Sequence, residues 1–407
     1  MSDTDPQRLR RSIGWGGLVL YGLGTTIGAG IYALIGVIAG RAGMQAPIAF
    51  CVASGIAALT AASFAELSSR FPRAGGEAIY VLEGLGSQRL ATAVGVLVAL
   101  AGIVSAATVT RSFAGTLNAL VAVPHLAATL GAILTVGAVA AWGIRESVWA
   151  ASLMTLLEIA GLVWVVGSAG DAWASLPLRL PELWPSGLDA WTGVGAAAML
   201  CFFAFLGFED MVNVAEEVRD PKRTLPRAIG ATLLVTTGLY LVTALACVLS
   251  VAPQELARSD APLLLVFERN GGAPLALGWI ALLAMLNGAL VQIVKAARVL
   301  FGLADVGALP RPLASVHPRT RTPVRSTALV LVIAAALAIG LPVETLAVGT
   351  SGVTLLTFAL ANLALIRLQR SPTPPDCFTT PRWIPVAGFG LTFGLATFGA
   401  WQTLGTG

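Results

Sequence analysis

The stretch "GLGTTIGAGIYALIG", residues 22–36, lies inside an apolar segment that is long enough to cross a membrane. Nine of the 28 residues from position 13 to position 40 are glycine, although glycine stabilises a helix less than any other residue except proline. Glycine lets the backbone leave helical geometry. The pattern therefore predicts a membrane helix that is broken in mid-span, near "TTIGAG".

A break in a membrane helix exposes backbone groups that have no partner within the helix, with N–H groups on one side and carbonyl groups on the other. Such a break must line a cavity or pack within protein, because lipid cannot satisfy it. The N–H groups attract a carboxylate, and the carbonyls accept hydrogen bonds from an ammonium. An amino acid carries a carboxylate and an ammonium on the same carbon. The alternative is close helix packing, since Gly24 and Gly28 form a small-residue pair.

The composition predicts that lipid surrounds most of the chain. Of the 407 residues, 56% are hydrophobic and 11% are charged, whereas soluble domains carry about 25% charged residues. The net charge of +4 does not indicate a nucleic-acid partner, because the basic residues are scattered through short loops. The four cysteines and two histidines show no ligand or catalytic spacing. We therefore expect no metal, no cofactor and no enzyme activity.

Apolar blocks of roughly 20 residues, the length of a membrane helix, predict an all-α integral membrane protein with eleven spans. The blocks lie at residues 13–40, 46–69, 91–122, 126–143, 147–169, 189–215, 226–252, 274–302, 326–341, 343–366 and 383–402. With the N-terminus inside, most of the lysines and arginines fall in inside loops, as cytoplasmic loops require. We expect a multi-pass protein of the inner (plasma) membrane with a cytoplasmic N-terminus.

The eleven blocks divide into two groups of five and a final span. The predicted segments are a tail (1–12), a first repeat (13–169), an extracellular loop (170–188), a second repeat (189–368), and a linker with an eleventh helix (369–407). Because five is odd, the second repeat enters from the opposite face. It opens with "CFFAFLGFEDMVNVAEE", which Gly207 interrupts. Paired interrupted helices at matching positions indicate a transporter's binding site.

Four stretches resemble the amino acid–polyamine–organocation permeases, in particular bacterial relatives of the cationic amino acid transporters. They are "GLGTTIGAGIYALIG", "FAELSSRFPRAGGEAIYVLEGLG", "FFAFLGFEDMVNVAEEVRDPKRTLPRAI" and "ARVLFGLADVGALPRPLASVHPRTRTPV". The resemblance implies the inverted five-plus-five repeat of the bacterial leucine transporter fold, with helices one and six broken. It also implies secondary active transport of amino acids by alternating access.

The resemblance further implies which residues bind the substrate. Backbone N–H groups of the first break meet the carboxylate in this family, and the matching positions are Gly28, Ala29 and Gly30. Backbone carbonyls of both breaks meet the α-amino group, and the matching positions are Thr26, Phe203, Ala204 and Leu206.

Glu209 directly follows the second break and has two interpretations. It faces the cavity, where it favours a cationic side chain or carries a proton, or it hydrogen-bonds the free backbone of the break. The surroundings are otherwise apolar. We therefore expect small to medium neutral amino acids as substrates, with cationic amino acids as the alternative.

Residues of spans five and eight bear on energy coupling. Sodium-driven relatives place hydroxyl oxygens in span eight, where this chain has Ala296 and Ala297, so a sodium site lacks ligands. The two spans instead offer Glu158 and Lys295, and paired charges are tolerable at such depth. We predict a proton-coupled symporter in which this pair couples the ion. The alternatives are a static pair, or a Lys295 that extends toward the membrane surface and never meets Glu158.

For the protein as a whole, the alternatives are an exchanger and a non-transporting amino acid sensor.

Overall fold

The structure, a computed structural model, describes residues 11, 13–28, 30–73, 76–142 and 148–405, and these ranges are helical with no β-strand. The described part of the first half contains nine α-helices. They are α1 (Trp15–Ile27), α2 (Gly30–Ala42), α3 (Ala46–Arg70), α4 (Gly76–Leu85), α5 (Gln88–Val121), α6 (His125–Trp142), α7 (Val148–Ser168), α8 (Gly170–Trp173) and α9 (Leu176–Leu183). A 3₁₀ turn, Gly43–Gln45, joins α2 to α3.

The described part of the second half contains eight further α-helices. They are α10 (Leu188–Phe205), α11 (Pro221–Ser250), α12 (Pro253–Arg258), α13 (Pro262–Arg269), α14 (Pro274–Asp305), α15 (Val324–Gly340), α16 (Val343–Leu368) and α17 (Trp383–Gly405). A 3₁₀ helix, Phe208–Glu217, continues from α10 beyond its break, and a short 3₁₀ turn, Arg311–Ala314, precedes α15.

Eight helical segments in the described ranges are long and apolar enough to cross a membrane, and two shorter apolar helices accompany them, at Leu153–Ser168 and Val324–Gly340. Each predicted apolar block coincides with one helix, or with two helical pieces for the first and sixth blocks. The predicted all-α membrane fold is confirmed. The count of eleven spans stays a prediction.

Both expected helix breaks are present. α1 ends at Ile27, Gly28 leaves helical geometry with φ −11° and ψ −111°, and α2 begins at Gly30. α10 ends at Phe205, and Gly207 follows with φ +126°, a conformation that glycine adopts without strain. The predicted break in each of these two helices is therefore confirmed.

The two breaks lie directly against each other. A Cβ added at Gly207 would overlap the backbone of Thr25, and a Cβ added at Gly30 would lie 2.5 Å from Cα of Ala204. Glycine is needed at both positions because backbone meets backbone there. The hydroxyl of Thr25 also donates to the carbonyl of Gly207 across the contact, at 3.0 Å.

Long helices pack around this central contact. α3 packs along α11, and α5 packs along α14. α3 and α11 are the second spans of the two predicted halves, and α5 and α14 are the third spans. α2 packs against α10. Such pairing of equivalent helices suits an inverted repeat, although the repeat and its boundaries stay a prediction.

A buried carboxylate fixes the segment between α16 and α17 to the end of α3. Glu66 on α3 is fully buried and accepts hydrogen bonds from Arg70, from Gln369 and from the backbone N–H and hydroxyl of Thr380, at 2.6–2.9 Å. Ion pairs buried this deeply are stable only when their remaining lone pairs are satisfied, and here they are.

Candidate functional site

The two breaks border a small cavity at the centre of the helices. It is lined by residues of α1, α2, α5, α10 and α14 and by the residue after α10: Gly24, Thr25, Thr26, Gly30, Ser105, Val109, Phe203, Leu206, Gly288, Val291 and Gln292. Its volume of about 30 Å³ holds roughly two water molecules. An amino acid needs more room, so the lining residues must move apart to admit one.

Four of the predicted substrate-binding residues line the cavity together: Thr26, Gly30, Phe203 and Leu206. Gly28 forms the turn between α1 and α2, and Ala29 lies outside the described residues. The first N–H groups of a helix have no partner within it, and α2 begins at this cavity. The break therefore brings backbone donors to the place where the sequence predicts a carboxylate site.

Tyr240 on α11 joins the two breaks, and sequence reasoning missed it. Its hydroxyl oxygen is 2.9 Å from the carbonyl oxygen of Thr26 and 2.9 Å from that of Ala204. The single hydroxyl hydrogen donates to one of them at a time. These carbonyls are two of the predicted acceptors for an α-amino group. A lone tyrosine within an apolar span was the available signal, because buried tyrosine hydroxyls seek a partner.

Glu209 is buried below the second break and does not line the cavity. Its Oε2 accepts a hydrogen bond from the backbone N–H of Gly207 at 2.7 Å. Of the two interpretations given for Glu209, this arrangement is the second, in which the side chain hydrogen-bonds the free backbone of the break. In this arrangement its carboxylate does not face a substrate side chain in the cavity.

The predicted pairing of Glu158 with Lys295 is wrong. Lys295 Nζ lies 2.7 Å from Oδ1 of Asp210 and 3.5 Å from Oε1 of Glu209, whereas Glu158 accepts from Nδ2 of Asn287 at 3.3 Å. Asn287 precedes Lys295 by eight residues, or about 12 Å along α14. The two charged groups therefore contact α14 at different heights, and Lys295 pairs with the two acids after the second break, Glu209 and Asp210.

Glu158 is fully buried and connects to the cavity lining through its hydrogen-bond partner. Its partner Asn287 precedes Gly288, which lines the cavity. Tyr32 on α2 donates from its hydroxyl to the backbone carbonyl of Glu158 at 2.7 Å, which ties α7 to the second half of the broken first span. The carboxyl is thus placed where motion of α2 can change its surroundings.

A third carboxyl approaches Lys295 from outside the predicted spans. Glu77 lies on α4 and is 5% exposed. Burial raises the pKa of its carboxyl to about 7; Lys295 opposes the rise, while Glu209 and Asp210 add to it. One lysine thus faces three carboxyl groups on the side of the breaks that is predicted to be cytoplasmic.

A helical membrane protein with two broken helices in contact around a central cavity has the architecture of a membrane permease. A family model described as "Amino acid permease" matches residues 13–403. The chain belongs to this family of the amino acid–polyamine–organocation superfamily, and it is a transporter rather than an enzyme.

Curated relatives extend over nearly the whole chain. An uncharacterized transporter of Mycobacterium tuberculosis is 33% identical over 394 residues, covering 94% of this chain and 85% of the relative. The branched-chain amino acid permease BcaP of Bacillus subtilis is 31% identical, covering 95% and 87%. The vacuolar cationic amino acid transporter 4 of Arabidopsis thaliana is 30% identical, covering 92% and 66%.

Proposed function

We propose that the protein is a secondary active transporter that carries neutral amino acids together with protons by alternating access. The observation that carries this proposal is the contact of the two helix breaks around one small cavity. Backbone donors at the start of α2 and backbone acceptors of both breaks meet there. A zwitterionic amino acid complements both sets of groups.

The substrate carboxylate binds the N–H groups of Gly28, Ala29 and Gly30 in this proposal. The α-ammonium binds carbonyl oxygens of both breaks, which belong to Thr26, Phe203, Ala204 and Leu206. When the site is empty, the Tyr240 hydroxyl lies within hydrogen-bond distance of two of these carbonyls and donates to one of them at a time. An ammonium brings three hydrogens, so it replaces the tyrosine hydroxyl without leaving a carbonyl unpaired.

Neutral side chains fit the cavity better than cationic ones. The described residues that line it carry no charge, and Ser105 and Gln292 supply the polar side chains opposite the breaks. The relatives' names point to both branched-chain and cationic amino acids. A buried cation without a counter-ion costs several kcal/mol, and Glu209 already holds the backbone of Gly207.

The choice between neutral and cationic substrates is tested with Glu209→Gln. We expect neutral uptake to persist and basic amino acids to be poor substrates of both proteins. Selective loss of lysine or arginine uptake in the variant would establish the cationic alternative.

Proton coupling is assigned to Glu158. It is a fully buried carboxyl that, among the described residues, accepts a hydrogen bond from Asn287 on its Oε1, and a carboxyl can bind and release a proton. Tyr32 connects its backbone to α2, the second half of the broken first span. Lys295 contributes separately, by holding Asp210 and closing the path on the predicted cytoplasmic side.

Uptake into proteoliposomes tests the function. We expect labelled neutral amino acids to accumulate when an inward proton gradient is imposed, with the exterior more acidic than the interior. Sodium should have no effect. Glu158→Gln keeps the hydrogen bond from Asn287 but removes the proton site, so it should abolish gradient-driven accumulation and spare counterflow exchange.

Four results would overturn parts of this proposal. Uptake only into vesicles preloaded with amino acid identifies an exchanger. Binding without any uptake identifies a sensor. Full gradient-driven accumulation by Glu158→Gln rules out Glu158 as the coupling residue, and the same result for Lys295→Met would show that Lys295 takes no part.

A further inference from the structure

A second cleft, of about 420 Å³, opens at the start of α11, apart from the cavity between the breaks. Its basic wall comes from α11 and its other wall from the segment between α16 and α17. The residues that matter here are Lys222, Arg223, Arg227, Asp376, Cys377 and Phe378. We refer to this feature as the α11 cleft. It gives a role to "VRDPKRTLPRAI", a stretch that the transport mechanism does not use.

Both walls of the α11 cleft are fixed by hydrogen bonds. The hydroxyl of Ser69 on α3 donates to the carbonyl of Lys222 at 3.0 Å and accepts from the N–H of Phe378 at 2.9 Å. The ammonium of Lys222 donates to the carbonyl of Pro375 at 3.2 Å. The cleft is therefore a built feature, which α3, α11 and the connecting segment hold in shape.

The charges of the α11 cleft favour an anion. Three basic residues and one acidic residue, Asp376, line it. Arg223 and Arg227 are exposed and one helical turn apart, so they lie on the same face of α11. Within the described part of the chain, neither guanidinium has an ion-pair partner.

The depth of the α11 cleft matches the membrane surface. Residues 228–250, which follow Arg227 on α11, contain no charged residue, so the helix enters the hydrocarbon region directly after the cleft. Phospholipid headgroups lie at this level. The ring of Phe378 is 43% exposed and offers an apolar surface beside the arginines for the start of an acyl chain.

We propose that the α11 cleft binds the phosphate-bearing headgroup of an anionic phospholipid, in the leaflet that the basic loops predict to be cytoplasmic. Guanidinium groups bind phosphate oxygens in bidentate geometry, and basic pockets beside membrane helices are suited to such headgroups. The proposal does not depend on the substrate or on the mode of energy coupling.

The test is a lipid titration of the purified full-length protein, followed by native mass spectrometry. Phosphatidylglycerol is the probe and phosphatidylcholine is the neutral comparison. The variant is Arg223→Gln with Arg227→Gln. The matched control is Arg311→Gln with Arg319→Gln, two exposed arginines that are predicted to lie on the same side but outside the cleft.

We expect wild type and the control variant to bind phosphatidylglycerol in preference to phosphatidylcholine. The cleft variant should bind it about 30-fold more weakly, given the contribution of each basic residue at a membrane surface. Equal loss in both variants would reduce the effect to general surface charge and overturn the proposal. It would also be overturned if inorganic phosphate bound the cleft as tightly as the lipid does. The melting temperature of each variant in the presence of phosphatidylcholine, compared with that of wild type, checks that the variant is folded.

Discussion

Replacing Glu77 by glutamine should change how the stability of the protein depends on pH, and the structure sets the sign. The folded protein raises the pKa of this buried carboxyl from 4.5 to about 7. A carboxyl with a raised pKa contributes its full stability below its unfolded pKa, and that contribution is lost as the pH rises through the folded value. The difference of about 2.5 pKa units corresponds to about 3 kcal/mol.

The assay is thermal unfolding of the detergent-solubilised protein, followed by tryptophan fluorescence between pH 5 and pH 8. Glu77→Gln mimics the protonated carboxyl, so wild type should lose stability relative to the variant as the pH rises from 5 to about 7, and the difference should level off above the folded pKa. Glu83→Gln is the matched control, because Glu83 lies on the same helix but is 41% exposed beside Arg73. A wild-type minus Glu77→Gln difference that does not change with pH would refute the reasoning.

Three further substitutions test the fold and the breaks. Glu66→Ala leaves the buried Arg70 unpaired and should lower the free energy of unfolding by about 3–5 kcal/mol. Thermal unfolding measures this change, and a decrease below about 1 kcal/mol would contradict the prediction. Gly207→Ala forces a side chain against the backbone of Thr25 and should abolish amino acid binding, measured by thermal shift. Tyr240→Phe should lower the melting temperature more without substrate than with it, because the substrate ammonium satisfies the carbonyls left open; equal lowering would contradict the proposed exchange.

The helix breaks could be predicted from the sequence because their signals are local. Glycines at positions 28, 30 and 207 mark places where the chain must leave helical geometry or approach another backbone closely, and each does so in the structure. The apolar blocks likewise predicted the helices, since a membrane span requires a long uncharged segment.

The partners of buried side chains could not be predicted, because they depend on how helices are placed along one another. Lys295 pairs with Asp210 rather than Glu158, since the 3₁₀ geometry after Gly207 turns two adjacent acids toward α14. The hydroxyl of Tyr240 reaches both breaks only because α11 packs beside them. Sequence periodicity gives the face of a helix that a residue occupies, but not the height of its neighbours.

The contact between the breaks also changes how the site should be probed by mutation. A side chain at Gly30 would collide with Ala204, so Gly30→Leu disturbs packing as well as the proposed carboxylate site. A Cβ at Gly28 would meet only the carbonyl of Gly24, at 3.3 Å. Gly28→Ala is therefore the smaller perturbation, and its thermal unfolding should be measured together with its binding.

The central claim is that the backbone groups of the two breaks bind both charges of an amino acid. Competition binding tests it directly, with the best labelled amino acid from a panel, its decarboxylated amine and its deaminated acid, on the unmodified protein. Each analogue leaves one set of buried backbone groups unpaired, so we expect both to bind at least about 100-fold more weakly than the amino acid. An analogue lacking either charge that competes as well as the amino acid would contradict the account.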